Sequence, residues 1–149
     1  MKHYLIIACI SFFTLTNCSL NDINNDIPQV TRVLWHLKNV SGGVAGVDND
    51  FASGVIIWEF KNGNSTLTVT NTNSNTAIED GLDSGNYSYN ITPIGTSSKT
   101  YLVINSNEFG SISFASNDTQ LIINQNETST GPVADGYIYT FTKSVIVEN

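Results

Sequence analysis

The sequence predicts an all-β protein in which eight antiparallel strands form an up-and-down β-barrel. Apolar and polar residues alternate in short segments, turn-forming residues separate these segments, and no helical period extends far enough to form a helix. A meander of eight strands removes its unpaired edges by closing into a barrel. A two-sheet β-sandwich is the alternative that the same pattern allows.

The eight predicted strands follow one another at short intervals. They are residues 31–40, 54–60, 65–70, 86–92, 99–104, 109–114, 119–124 and 136–143. In the first, Val33, Trp35 and Leu37 occupy alternate positions, so the three side chains share one face. This face is expected to point into the barrel.

The second and third strands are predicted to form a hairpin. The second is apolar on both faces, which is typical of a strand that is covered on both sides. The Asn62-Gly63 pair follows it, and this pair is the strongest short-range signal for a hairpin turn. In the third strand, Leu67 and Val69 alternate with threonines.

Later strands place aromatic residues on one face. Tyr87 and Tyr89 alternate with polar residues in the fourth strand, and Tyr137, Tyr139 and Phe141 do so in the last. Together with the tryptophans and one further tyrosine they form the predicted ligand-binding set: Trp35, Trp58, Tyr87, Tyr89, Tyr101, Tyr137 and Tyr139. These side chains either line an apolar pocket or fill the barrel, and both interpretations remain open.

Long connections are predicted at one end of the barrel, because alternate connections of a meander lie at the same end. The long ones are residues 41–53, 71–85 and 125–135; the shorter ones, at the other end, are residues 61–64, 93–98 and 115–118. The tight connection near Ser106 is the exception at the long-loop end. We expect the mouth of the barrel at this end, because functional loops gather there.

Residues 1–17 have the pattern of a signal peptide. Lys2 supplies a positive charge, and residues 4–15 are almost entirely apolar. Such a segment rises about 18 Å as a helix, whereas the hydrocarbon core of a membrane measures about 30 Å. A cleaved signal peptide is therefore favoured over a transmembrane helix.

The end of this segment, Leu15-Thr16-Asn17-Cys18, resembles the lipobox of bacterial lipoproteins. The resemblance implies that the chain is cut before Cys18 and that Cys18 carries acyl chains. Two or three chains make a lasting anchor, whereas one binds only marginally. Residues 18–30 are then a flexible tether, and residues 31–149 form the barrel domain. An ordinary signal peptide with a chance cysteine is the alternative.

The first strand carries a second resemblance. Trp35-x-Leu37, followed by Val40-Ser41-Gly42-Gly43 and a long first loop, is similar to bacterial lipocalin-like lipoproteins. The resemblance implies a barrel around a cavity for small, often apolar molecules, with Trp35 plugging the closed end. It also implies a late cation stacked on this tryptophan, for which Lys143 is the nearest candidate.

No catalytic or metal-binding pattern emerges from the sequence. His36 is the single histidine after residue 17, whereas zinc sites and catalytic triads need further partners. Residues 48–50 and 79–83 supply acidic side chains without the spacing of a calcium-binding EF-hand loop. We therefore predict a protein that is not an enzyme and uses no cofactor or metal.

The net charge of the chain limits the classes of partner that it can bind. The formal net charge is −7 and Arg32 is the only arginine, which disfavours nucleic acid as a partner. The resemblance to a lipobox implies that the chain resides in the cell envelope, and it implies the outer membrane because Ser19 is not the acidic residue that retains some lipoproteins at the inner membrane. We predict that the barrel binds a small apolar molecule; the alternative is a non-catalytic envelope protein whose long loops contact a protein or glycan.

Overall fold

The computed structural model describes residues 30–93 and 99–148, which contain strands and connections but no helix. The strands are β1 (Val30–Gly42), β2 (Val47–Asp50), β3 (Ile56–Lys61), β4 (Thr66–Asn71), β5 (Gly85–Pro93), β6 (Thr100–Ile104), β7 (Asn107–Ala115), β8 (Gln120–Asn124), β9 (Glu127–Thr128), β10 (Gly131–Pro132) and β11 (Tyr137–Glu148). Eight of them, all except β2, β9 and β10, form a closed antiparallel barrel in up-and-down order. The predicted fold class is confirmed, and the barrel is compatible with a lipocalin-like fold.

The barrel closes between its first and last strands. β1 pairs with β11 from Val30 opposite Glu148 to Gly42 opposite Tyr137, with one irregularity after Leu37. β1 also pairs with β3, so both of its edges are used. Because every barrel strand has two neighbours, the sandwich alternative is excluded.

The connection predicted to be long at residues 41–53 is long, but it contains the extra strand β2, which forms a β-hairpin with the end of β1. β2 pairs with the last residues of β1, and the turn between them contains Gly43 and Gly46 with φ angles of 69° and 61°. Glycine adopts this left-handed conformation at no steric cost. Asn39 Nδ2 donates to Asp48 and Asp50 at 2.7 and 2.9 Å, which compensates for the weak strand preference of these acidic residues.

The predicted hairpin between the second and third barrel strands is confirmed, but its turn differs from a two-residue Asn-Gly turn. Residues 62–65 connect β3 to β4, and the Asn64 N–H donates to the Lys61 carbonyl at 3.4 Å. The left-handed residue is Ser65, with a φ of 51°, and not Gly63. The hairpin is therefore closed by a four-residue loop.

Inward side chains fill the middle of the barrel. Trp58 and Phe141 are fully buried with ring centroids 5.0 Å apart, and Trp58 also contacts Phe60 and Phe109. The fully buried aliphatic side chains around them are Leu37, Val40, Ile56, Leu67, Leu102, Leu121 and Ile123. Burial of each contributes about 1.5–3 kcal/mol to the free energy of unfolding.

The two ends of the barrel differ as predicted. The long-loop end carries the β1–β2 hairpin, the connection of residues 72–84 and the connection between β8 and β11. Ile78 and Leu82 of the 72–84 connection pack against the core. The opposite end, named here the N-terminal end, contains the first residue of β1, the last residue of β11 and the turns after β3 and β7.

The β9–β10 hairpin lies against the outside of β6 and β7. Ser111 Oγ donates to Glu127 Oε2 at 2.8 Å, and the Ser129 N–H donates to Glu108 Oε1 at 2.7 Å. Lys99 Nζ lies 2.7 Å from Glu127 Oε1. These contacts fix the hairpin to the barrel wall.

In the described part of the chain, no helix is long and apolar enough to span a membrane.

Candidate binding cavity

A cavity of about 880 Å³ lies at the N-terminal end of the barrel. Its apolar wall consists of inward side chains from five strands: Val33, Trp35, Phe60, Ile91, Ile112, Phe114 and Leu121. The volume lies within the roughly 300–1,000 Å³ typical of small-molecule pockets. We expected the mouth at the long-loop end, and this expectation is wrong because the 72–84 connection packs onto the core there.

Trp35 forms the centre of this wall. It is 6% exposed, and its ring centroid lies 5.7 Å from that of Phe114. The register places Lys143 of β11 directly opposite Trp35, so both side chains are on the inner face. Lys143 Nζ lies 5.9 Å from the ring centroid, within reach of a cation–π interaction. The cation expected beside Trp35 is therefore Lys143.

An ion-pair network borders the cavity. Arg32 binds Glu59 through two hydrogen bonds of 2.8 Å, and its Nη1 donates to Glu148 Oε1 at 2.9 Å. Lys61 Nζ lies 3.8 Å from Glu59 Oε2. Hydrogen bonds from Arg32 lower the pKa of Glu59, and this effect exceeds the opposing effect of burial. The network joins β1, β3 and β11 across the seam of the barrel.

Lys143 stands apart from this network. No carboxylate of the described residues forms an ion pair with it, whereas Arg32 and Lys61 both contact Glu59. The side chain is exposed to the open cavity. Among the described residues, its recorded charge contact is the face of Trp35.

Tyr89 supports the cavity wall from behind. Its hydroxyl donates to Asn62 Oδ1 at 2.6 Å, and its ring lies 5.0 Å from that of Phe60 in an edge-to-face arrangement. Asn62 and Phe60 both line the cavity. Burial raises the pKa of Tyr89, so the hydroxyl stays protonated and able to donate.

Four residues of the predicted aromatic set lie toward the long-loop end and do not line this cavity. Trp58 is in the centre of the core, and the ring of Tyr139 lies 6.4 Å from that of Tyr137. Tyr139 donates to Glu79 Oε1 at 2.9 Å, and Tyr87 donates to the Asp83 carbonyl at 2.9 Å. They fill the barrel and hold the 72–84 connection.

Tyr101 lies outside the barrel. It pairs with Thr92 of β5, one position away from the inward Leu102. The side chain is 4% exposed because the β9–β10 hairpin covers it. Of the seven predicted residues, Trp35 alone lines the cavity, and Tyr89 supports its wall.

The remaining polar candidates have structural partners. His36 Nε2 lies 2.8 Å from Ser144 Oγ on the neighbouring strand. Asp80 Oδ2 accepts hydrogen bonds from Asn71 and Asn73. In the ranges 30–93 and 99–148, no group of three or more His, Cys, Asp or Glu side chains is placed to hold a metal ion. The predicted lipidation site, Cys18, lies outside the described residues.

Sequence reasoning did not select the residues that line most of the cavity. Phe114, Ile112 and Ile91 were assigned to strands but not to the binding set, although Ile112 and Phe114 follow the same alternation as the chosen tyrosines. The Arg32–Glu59 pair had no sequence signal, because its members are separated by 27 positions. Their proximity depends on the pairing of β1 with β3.

No protein-family model matches the chain, and no significant match exists among curated proteins or solved structures.

Proposed function

We propose that this protein binds a small, largely apolar molecule in the cavity at the N-terminal end of the barrel. The observation that carries the proposal is the aromatic and aliphatic wall around about 880 Å³ of open space. A ligand that covers this wall removes apolar surface from water, which contributes about 25 cal/mol per Å². The protein acts as a non-catalytic binding protein.

We further propose that acyl chains on Cys18 hold it in the cell envelope, at the outer membrane. Cys18 precedes Val30 by 12 residues, which span about 40 Å when extended. Val30 lies at the N-terminal end, so the tether is attached at the end of the barrel that holds the cavity. Exposed apolar side chains at this end support contact with the membrane: Val30, Phe114, Val145, Ile146 and Val147.

The binding proposal is tested with a neutral fluorescent probe, N-phenyl-1-naphthylamine. We use the chain from residue 18 onward with Cys18→Ser, so that no acyl chain competes for the cavity. Ile91→Trp places a large ring in the cavity from a partly exposed position, and we expect at least about tenfold weaker binding.

The matched control is Val44→Trp, which adds the same ring at a residue that is 86% exposed at the long-loop end. This variant is expected to bind the probe as the parent does. Equal binding by both variants would show that the cavity is not the site. Native mass spectrometry of the parent then identifies any molecule that copurifies.

The anchor is tested in cells by labelling with a palmitate analogue. The chain is expected to take up the label and to sediment with membranes. Cys18→Ser is expected to abolish labelling; labelling that persists would refute acylation at this residue.

The alternative function, contact with an envelope protein or glycan through the long loops, has one observation in its favour. The 72–84 connection has a polar groove whose Asn71, Asn73 and Asp80 side chains are held by mutual hydrogen bonds. Asn75→Ala, at the exposed edge of this groove, separates the two functions. It should weaken partner crosslinking and leave probe binding unchanged if the loops are the interface.

A further inference from the structure

We infer that the ligand is an anionic amphiphile, with an apolar body in the cavity and a single negatively charged group paired with Lys143. The inference rests on the proposed function and specifies its ligand class. It depends on three features: the position of Lys143, the charges that line the cavity and the energetics of an ammonium beside apolar walls.

Lys143 projects into the cavity from the closing strand. It alternates with Phe141 on the inner face of β11, and it lies opposite Trp35 in the β1–β11 ladder. Nζ is 5.9 Å from the Trp35 ring centroid, and both side chains line the cavity. The ammonium is thus held beside the surface that a ligand's apolar body would cover.

The charges that line the cavity do not balance. The lining contains three cationic side chains, Arg32, Lys61 and Lys143, and two carboxylates, Glu59 and Glu148. Arg32 and Lys61 are paired with the carboxylates, whereas no carboxylate of the described residues pairs with Lys143. A cavity with a formal charge of +1 in a chain with a net charge of −7 favours an anionic ligand.

Ligand binding would change the surroundings of this ammonium. In the open cavity it is hydrated, which limits the strength of any ion pair. An apolar ligand body displaces that water, so a neutral ligand leaves the charge poorly solvated. A ligand that brings its own anionic group replaces the lost hydration with a charge-assisted hydrogen bond. A cationic ligand meets both desolvation and repulsion.

The experiment compares three ten-carbon probes that differ in head group: decanoate, decanol and decylammonium. Binding to the chain from residue 18 with Cys18→Ser is measured by calorimetry at pH 7.5, below the micelle-forming concentrations of the two ionic probes and below the solubility limit of decanol. We expect decanoate to bind about tenfold more tightly than decanol, and decylammonium to bind most weakly.

Two variants assign the preference to Lys143. Lys143→Met retains a flexible apolar stem on Trp35 and removes the charge, so decanoate should bind about tenfold more weakly while decanol binding is maintained. Lys143→Arg should restore the preference for decanoate. Lys38→Met on the outer wall is the control, since it makes the same change in net charge and should leave all three affinities unchanged.

The outcomes separate this inference from the proposed function. If decanoate and decanol bind equally well, or if Lys143→Met leaves their ratio unchanged, the anionic ligand class is refuted while binding in the cavity stands. If no probe binds and Ile91→Trp has no effect on N-phenyl-1-naphthylamine, both are refuted.

Discussion

The Tyr139 hydroxyl donates a 2.9 Å hydrogen bond to Glu79 Oε1, which joins the last barrel strand to the connection that closes the long-loop end. The same carboxylate oxygen accepts the Gly81 N–H at 3.0 Å. Leu82 packs against the core close by. The closed end is therefore held by a partly buried polar contact as well as by apolar packing.

The Tyr139–Glu79 contact predicts a loss of stability at alkaline pH. Burial, and then the Glu79 carboxylate, raise the pKa of Tyr139 above its ordinary value of 10. The unfolded chain therefore releases this proton first, and the free energy of unfolding falls as the pH rises above about 10. Urea titrations at pH 8, 10 and 11 measure this slope.

Tyr139→Phe removes the titrating group. It is expected to lower the free energy of unfolding at pH 8 by about 1 kcal/mol, through the lost hydrogen bond. It should also flatten the slope above pH 10, where Tyr89 still contributes because burial raises its pKa too. An unchanged alkaline slope in this variant would contradict the assignment.

The Arg32–Glu59 pair predicts a loss of stability at acidic pH. Hydrogen bonds from Arg32 lower the pKa of Glu59 from its ordinary value of 4.5. The stabilisation is therefore present above pH 4.5 and is lost as the pH falls toward the lowered folded value. Glu59→Gln should lower the thermal midpoint at pH 7 by several degrees and reduce its decline between pH 5 and 3. Glu127→Gln, at a more exposed pair, should have a smaller effect; an equal effect would refute the special role of Glu59.

The core and the cavity wall are expected to tolerate truncation differently. Phe141 is fully buried against Trp58, so Phe141→Ala should lower the free energy of unfolding by about 3–5 kcal/mol. Phe114 is 54% exposed at the cavity, so Phe114→Ala should cost about 1 kcal/mol or less while it weakens probe binding. Urea unfolding and N-phenyl-1-naphthylamine titration measure the two effects. Comparable losses of stability would contradict the placement of Phe114 at the mouth.

Gly110 is expected to be required where β7 approaches the end of β8. A Cβ at this position would lie 2.6 Å from the Asn124 carbonyl oxygen, a backbone atom that cannot move without separating the strands. Gly110→Ala should lower the free energy of unfolding by about 2 kcal/mol or more. Gly63→Ala is the control, because its Cβ meets open space and should change stability by less than about 1 kcal/mol. Similar values for the two variants would show that the strands accommodate the extra carbon.

Alternation of apolar and polar residues was sufficient to predict the barrel and most of its strands. Each strand has one buried face, so a pattern such as Val33, Trp35 and Leu37 specifies its orientation. The pattern was insufficient for β2, because Asp48 and Asp50 are stabilised in a strand by Asn39 and not by burial. The alternation also could not place Tyr101, which is covered by a hairpin from another part of the chain.

The candidate site was predictable only in part. Trp35 and Lys143 were both singled out, but their contact depends on the register between the first and last strands. The location of the cavity depends on whether the 72–84 connection packs into the barrel or stands away from it. Ile78 and Leu82 hold this connection against the core, and they are two apolar residues in a segment that otherwise resembles a polar loop.

Because Val30 and Glu148 are paired neighbours, the two extremities of the described barrel are about 5 Å apart between Cα atoms. A short Gly/Ser bridge can join them without disturbing any strand. New extremities can then be opened in the exposed turn at residues 62–65 to yield a circular permutant with the same neighbours around the ring. Such a rearranged chain would begin and end at the rim of the cavity, at the ends of β4 and β3, so its extremities would lie beside β1 and not at the β1–β11 seam.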